Sequence, residues 1–331
     1  MKIFAYAMRE FDEKYFFEEY SKELNCEYGY STEYPSPDNV ELAAGYDAIS
    51  ATPCDLGADM LDRFYKVGVR YIATRSIGVD HIDLRHAKEL GMGVCHVSYA
   101  PETVADYAIM LMLMCCRNIC HILERSKVQD YTLKGKMGKN LCDCTVGIIG
   151  TGKIGQTVIK HLSTFGCRIL AYDIYPNETC GQMAEYVSLE ELYANSDIIT
   201  LHAPATADNY HLLNAAAFAQ MKDDVTIINT ARGTLIDTDA LIAAIEQGKV
   251  GHAALDVLEQ ENGLYYANRM GDPIANRGMA ILRSFPNVIL SPHTAFYTEN
   301  VVRDMAYKSM KGVLDMMAHR ENPLVVVKDY E

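Results

Sequence analysis

No stretch of this 331-residue chain is apolar for long enough to cross a bilayer. The longest apolar run, around Ala108–Cys116, falls well short of the roughly 20 residues that a spanning helix needs. Positive charge is also scarce. Thirty Lys and Arg face 44 Asp and Glu, a net charge of −14, so the basic excess that holds nucleic acid or an anionic membrane is missing. A small anionic ligand is not excluded by that balance, because a pocket can be locally positive. Neither a low-complexity linker nor a repeat of solenoid period stands out. The ten cysteines are irregularly spaced, and nothing at the N-terminus reads as a secretory signal, so no disulfide framework is expected. Cys115, Cys116 and Cys120 lie in an apolar helical run with no histidine at ligand spacing, and Cys142 and Cys144 stand at the head of a strand. Both groups read as buried thiols, with no metal site, in a cytoplasmic protein.

What is present is ordinary globular composition, 49% hydrophobic and 22% charged, in a chain long enough for two cores. Strand and helix signals alternate, which predicts α/β architecture with parallel sheets. Lys2–Ala7 reads as the first strand, Asp12–Leu24 as a helix, Ala48–Thr52 as the second strand, then helix Leu61–Lys66, strand Tyr71–Thr74 and strand Gly93–His96. Pro101 opens a helical stretch to about Gln129 with an apolar face through Val104, Ile109, Leu111, Met114 and Ile119. A second block follows, with strands at Thr145–Ile149, Arg168–Tyr172, Ile198–Leu201, Thr226–Asn229, Gly251–Asp256 and Val288–Leu290. Helices are expected at Lys153–Thr164, Thr238–Gln247 and, last of all, Thr298–Ala318.

The most specific local signal is Gly150-Thr151-Gly152-Lys153-Ile154-Gly155. Such a turn is weak evidence alone, but here an apolar strand enters it and an amphipathic helix leaves it, the context of a dinucleotide fingerprint. Gly150 permits the tight turn, Gly152 lets backbone approach a pyrophosphate and Gly155 lets helix and strand pack closely. The helix N-terminus then favours the anion. The next strand ends at Asp173, 23 residues beyond Gly150. A carboxylate there accepts both ribose hydroxyls of the adenosine and repels a 2′-phosphate, so NAD is the expected cofactor. The fingerprint lies in mid-chain, which implies a nucleotide domain inserted into a first domain that the last helix completes.

Arg232, the acidic run Asp256–Glu261 and His293 each follow an apolar strand of the second block, at the carboxyl ends where open α/β sheets bind ligands. Each alone reads as a surface charge or a structural side chain. Three together beside a nucleotide turn point to chemistry.

With these residues in place, the chain resembles the D-2-hydroxyacid dehydrogenase family from end to end. The segments Lys2–Arg9, Arg75–Asp83, Tyr99-Ala100-Pro101, the fingerprint and Ser291–Thr298 are similar to its D-lactate dehydrogenase branch. Tyr71–Asp83 with Val104-Ala105-Asp106-Tyr107 also resembles the D-lactate dehydrogenases of glycopeptide resistance. The resemblance implies two Rossmann-like domains, the NAD-binding domain at 101–297 being inserted into a discontinuous, flavodoxin-like substrate domain at 1–100 and 298–331. Closure would hinge near Tyr99–Pro101 and Phe296–Thr298. It implies Arg232, Glu261 and His293 as the catalytic set, Glu259 being a neighbour that does not share the role. Ile77, Gly78, Tyr99 and Phe296 become substrate contacts. Pro204, Thr230, Ala231 and Asp256 line the nicotinamide side, with His202 a cofactor neighbour or a structural residue. In these roles Arg232 grips the 2-oxo acid carboxylate and polarises its carbonyl, and His293 is the general acid, its imidazolium favoured by Glu261. The Pro101 helix becomes a homodimer contact, as in the family.

One departure concerns the substrate. Several D-lactate dehydrogenases carry an aromatic residue after the second strand, where this chain reads Ser50-Ala51-Thr52-Pro53-Cys54. Pyruvate reduced to D-lactate is the leading expectation. D-2-hydroxyisocaproate, phenyllactate and 2-hydroxyglutarate dehydrogenase are the alternatives, the last requiring a second cation near Thr52–Cys54 or Tyr99. A corepressor that senses NADH can share the fold and the triad, but this chain carries no added tail or linker for that role.

Overall fold

A computed structural model describes residues 1–328. Its thirteen strands are β1 Lys2–Ala5, β2 Glu27–Tyr30, β3 Ala48–Ala51, β4 Tyr71–Thr74, β5 Gly93–Cys95, β6 Thr145–Ile149, β7 Arg168–Tyr172, β8 Glu185–Tyr186, β9 Ile198–Leu201, β10 Val225–Asn229, β11 Val250–Leu255, β12 Val288–Leu290 and β13 Val325–Val327. The chain forms two compact units, one of Met1–Ala100 with the chain from Tyr297 onward, the other of Pro101–Phe296.

In the first unit the sheet order is β13-β5-β4-β3-β1-β2. All pairs are parallel except β13, which runs antiparallel to β5, so the sheet is not wholly parallel as expected from the sequence. Alternation along the strands gives the two faces different bulk. Phe4, Ile49, Ile72 and Val94 load one face. Ala5, Ala48, Ala73 and Cys95 line the other, where Ala306, Met310 and Val313 of the helix Glu299–Met317 pack. Small residues on that face let the helix come close. A Cβ added to Gly312 would stand 2.7 Å from the Cys95 sulfur.

In the second unit the order is β12-β11-β10-β9-β6-β7-β8, with every pair parallel. Ile149, Leu170, Ile199 and Ile227 face one apolar cluster. Val146, Ile148, Ile169 and Ile228 face the other, with Ala105, Ala108 and Met112. Chain order reverses between β6 and β9, and ligands of doubly wound sheets bind outside the carboxyl ends at such a point.

Further sequence expectations need correction, among them Cys142, expected as a buried thiol but exposed. The helix from Pro101 to Gln129 is two helices, Glu102–Cys116 and Ile119–Lys127, bent by 62°. Asn118 at φ +50° breaks it, since a left-handed residue cannot continue a right-handed helix. Val104, Ile109 and Leu111 are buried as expected, but Met114 and Ile119 are only half-buried. The first strand stops at Ala5 rather than Ala7, which adopts φ +50°. Ala48–Ala51 is the third strand, not the second, because Glu27–Tyr30 forms β2 at the sheet edge. Among the described residues, no single helix is long and apolar enough to span a membrane.

Candidate active site

The glycine turn leaves β6 and enters the helix Lys153–Leu162. Gly150 has φ +96°, and a Cβ there would lie 2.6 Å from the Ala203 nitrogen. At Gly155 a Cβ would lie 2.0 Å from the Gly150 carbonyl oxygen, so this helix can pack so closely only on glycine. Gly152 has no atom within 4 Å of its Cβ position, and no side chain caps the helix that begins there. With no capping side chain, the first-turn N–H groups and the glycine backbone make a cradle that a pyrophosphate fits. Lys153 is exposed beside it, and Ile154 is half-buried.

Asp173 follows β7 directly. Its carboxylate accepts the Thr151 N–H at 2.6 Å and the Thr151 hydroxyl at 3.2 Å, while its other oxygen accepts the Tyr175 N–H. Tyr186, which sequence reasoning missed, donates its hydroxyl to Thr151 Oγ1 at 2.8 Å. The acidic residue and the glycine turn thus form one polar unit. After β9, His202 contacts the Thr200 hydroxyl through Nε2 at 2.9 Å, and its Nδ1 is buried without a hydrogen-bond partner. Burial pulls this imidazole down to about 3, so it is neutral. Pro204 is exposed just beyond it.

β10, β11 and β12 are consecutive neighbours, so the three chemistry-bearing turns emerge along one sheet edge. After β10, buried Asn229 shapes the turn: its side chain accepts the Ala231 N–H and donates to the Arg232 carbonyl at 2.9 Å. Thr230 is buried, and Ala231 and Arg232 are half-buried. The next residue brings this turn against the next one. A Cβ on Gly233 would stand 2.1 Å from the Leu258 carbonyl carbon.

After β11, the two glutamates have separate tasks. Glu259 contacts His211 Nε2 at 2.7 Å and accepts from the Thr238 N–H and hydroxyl, which makes it a tether within the unit. Glu261 accepts the Leu258 N–H through Oε2 and lies 2.6 Å from His293 Nδ1 through Oε1. That contact engages Nδ1 and fixes the ring.

His293 itself stands at φ +53°, an uncommon conformation for a residue with a side chain. Asp256, wholly buried, holds it there. Its carbonyl accepts the His293 N–H at 2.8 Å, and its carboxylate accepts from the Ser291 hydroxyl and the Thr294 and Ala295 N–H groups. The resemblance assigns Asp256 to the nicotinamide side; the geometry makes it the anchor of the His293 turn. Phe296, half-buried, has its ring 6.3 Å from that of His293.

Ile77, Gly78 and Tyr99 belong to the first unit. Ile77 is exposed and Gly78 half-buried in a turn closed by the Ser76 hydroxyl, which donates to the Gly78 carbonyl at 2.6 Å. Tyr99 is half-buried beyond β5. Behind the turn, Arg75 is only 1% exposed and donates to the carbonyls of Tyr6, Ala7 and Ser50, with Nε 3.3 Å from Glu13. A buried guanidinium persists only with such pairing, and it ties together the carboxyl ends of β1, β3 and β4. Ala51 and Thr52 are buried, and the Thr52 hydroxyl has no hydrogen-bond partner.

The sequence pattern of the family described as D-isomer specific 2-hydroxyacid dehydrogenase, NAD binding domain, matches residues 109–295. A D-specific alpha-keto acid dehydrogenase of Enterococcus faecalis is 45% identical over 85% of this chain and 86% of its own. An aromatic 2-oxoacid reductase of Clostridium sporogenes is 41% identical over 92% and 93%. The solved D-lactate dehydrogenase of Escherichia coli, without ligand, superposes with a TM-score of 0.85 at 33% identity, covering 99% of this chain and 100% of that one. With a glycine cradle that fits a dinucleotide and a Glu–His pair on the two strand ends beyond that of Arg232, the chain belongs to the D-isomer specific 2-hydroxyacid dehydrogenases, NAD-dependent oxidoreductases of 2-hydroxy acids.

Proposed function

We propose that the chain reduces pyruvate and somewhat larger 2-oxo acids to the D-2-hydroxy acids, with Arg232, Glu261 and His293 as the catalytic set. The observation that carries this reading is the 2.6 Å contact between Glu261, which follows β11, and His293 Nδ1, which follows β12, the two strands beyond the β10 end that carries Arg232. NADH, when bound, supplies the hydride. Negative charge then develops on the carbonyl oxygen, and His293 delivers its Nε2 proton there. Glu261 keeps the imidazole in the orientation that presents Nε2 and offsets the positive charge it carries before transfer. Arg232 presents a planar fork to the carboxylate. Phe296 walls the side chain, and Ile77, Gly78 and Tyr99 are carried over from the resemblance as substrate contacts. Gly150, Thr151, Gly152, Lys153, Ile154 and Gly155 hold the pyrophosphate and Asp173 the ribose, while Pro204, Thr230 and Ala231 flank the nicotinamide.

The test is NADH oxidation with pyruvate, 2-oxoisocaproate, phenylpyruvate and 2-oxoglutarate. The first three are expected to react and the last not, because Arg75, the cation near Cys54, is already spent on Glu13 and backbone carbonyls. No turnover with any of them sinks the enzymatic reading and leaves the NADH-binding corepressor. Asp173→Ala is expected to erode the preference for NADH, raising relative kcat/KM with NADPH about tenfold or more through loss of a charge repulsion. If NADPH already matches NADH in the unmodified protein, the role given to Asp173 fails.

A homodimer in the cytoplasm completes the proposal. Met110, Leu123, Val128, Leu133 and Met137 are exposed apolar residues on and after the helix Glu102–Cys116 and its continuation, a concentration that suits a subunit contact. Sedimentation at twice the chain mass is expected; a single-chain mass rejects the dimer. All ten cysteines are unpaired, in keeping with a reducing compartment.

A further inference from the structure

Tyr266 lies in the irregular stretch that follows Glu261, in the same unit as His293, and neither the fingerprint nor the catalytic set explains it. Three observations converge on it. Its backbone adopts φ +64°, a conformation that a bulky residue avoids and that glycine or asparagine takes at lower cost. Its hydroxyl donates to the His293 carbonyl at 2.8 Å. Its ring centroid lies 6.2 Å from that of His293 and 6.5 Å from that of Phe296, to which it stands edge-on at 86°, yet the residue is 53% exposed.

His293 is thereby held at three points. Asp256 takes its N–H, Glu261 takes ring Nδ1, and Tyr266 secures its carbonyl. A left-handed residue has two adjustable backbone angles, and fixing both its N–H and its carbonyl removes the freedom to relax out of that conformation. The ring's aim would otherwise drift with the backbone, and proton transfer is sensitive to such drift. The exposed ring of Tyr266, set against Phe296, makes an aromatic corner beside the histidine.

We propose that Tyr266 is a positioning residue for His293, acting through its hydroxyl, and that its ring forms with Phe296 a wall favouring 2-oxo acids with large, above all aromatic, side chains. The inference rests on the reduction assigned to Arg232, Glu261 and His293, and it names the side-chain class that the same site prefers.

The experiment compares the unmodified protein, Tyr266→Phe and Tyr266→Leu in steady-state reduction of pyruvate and phenylpyruvate, with NADH affinity followed by fluorescence. Tyr266→Phe keeps the ring and loses only the hydrogen bond. Its kcat is expected to fall about fivefold on both substrates, with KM within about twofold and NADH affinity unchanged. Tyr266→Leu is expected, in addition, to lower the phenylpyruvate-to-pyruvate ratio of kcat/KM by about tenfold, the worth of a lost aromatic contact. An unchanged kcat in Tyr266→Phe overturns the positioning role. An unchanged substrate ratio in Tyr266→Leu overturns the wall. Altered NADH affinity in both variants makes Tyr266 a merely structural residue and overturns both. Turnover by the unmodified protein separates this inference from the reading beneath it: if that protein reduces neither acid, the catalytic assignment fails, and if it does, the variants judge Tyr266 alone.

Discussion

Alanine in place of His293 is expected to lower the turnover of pyruvate by about 10²–10⁴-fold, the usual worth of a positioned general acid, while NADH binds as before. The separation follows from the architecture. His293 rises from the turn after β12, whereas the dinucleotide cradle is built from the turn after β6, with β9, β10 and β11 between them in the sheet. The side chain is only half-buried, and its ring is held by one carboxylate, so its removal leaves no large apolar void. The backbone contacts of the turn, from Asp256 and Ser291, do not depend on the imidazole. Glu261→Gln should lose less than His293→Ala, because the amide oxygen still accepts from Nδ1 but no longer offsets a positive ring. The double variant should be no worse than His293→Ala alone, since Glu261 acts through the histidine. Single-turnover rates with saturating NADH and pyruvate check the first expectation and fluorescence titration the second. Turnover within tenfold of the unmodified protein would remove His293 from the mechanism.

How much of this site could be read beforehand differs from residue to residue. The glycine turn, Asp173, Arg232 and His293 could be singled out as candidates because each follows an apolar strand, and strand ends are marked by a change of residue character. Glu261 could be set apart from Glu259 through the resemblance. What engages Glu259 became visible only in three dimensions, where His211 and Thr238, distant in sequence, meet its carboxylate. Asn118 gave no warning that it would break a helix, because apolar residues continue on both sides of it; a positive φ is a property of the fold around the residue. The edge strands β2 and β13 escaped for a related reason. Glu27–Tyr30 carries two tyrosines, a glycine and a glutamate, and Val325–Val327 is three residues long, so neither shows a buried-strand pattern. The hydroxyls of Tyr186 and Tyr266 donate to Thr151 and to the His293 carbonyl across 35 and 27 residues, for which a sequence has no local periodicity.

Arg232→Ala is expected to lower kcat/KM for pyruvate by about 10²–10³-fold, with most of the loss in KM and NADH affinity retained. The magnitude is that of removing one partner of a charge-assisted pair. The protein's net charge of −14 makes the surroundings of a bound carboxylate unfavourable unless a cation is placed for it, so the loss is not made up by a diffuse positive field. The turn should survive the substitution, because it is built by Asn229 and by the contact of Gly233 with Leu258, not by the guanidinium. Arg232 Nη1 donates to the Ala231 carbonyl at 2.8 Å, a bond within the turn that helps aim the side chain. Arg232→Lys is the sharper variant. It restores the charge but presents a point donor where the carboxylate and carbonyl of a 2-oxo acid call for a planar fork, so it should recover only part of the loss. Full recovery by lysine would reduce the role of Arg232 to a simple electrostatic one, and unchanged pyruvate kinetics in Arg232→Ala would remove it from the site. If KM rises in Arg232→Ala and kcat falls in His293→Ala, binding of the acid and protonation of its oxygen are separate tasks, given by this sheet to two strand ends with β11 between them.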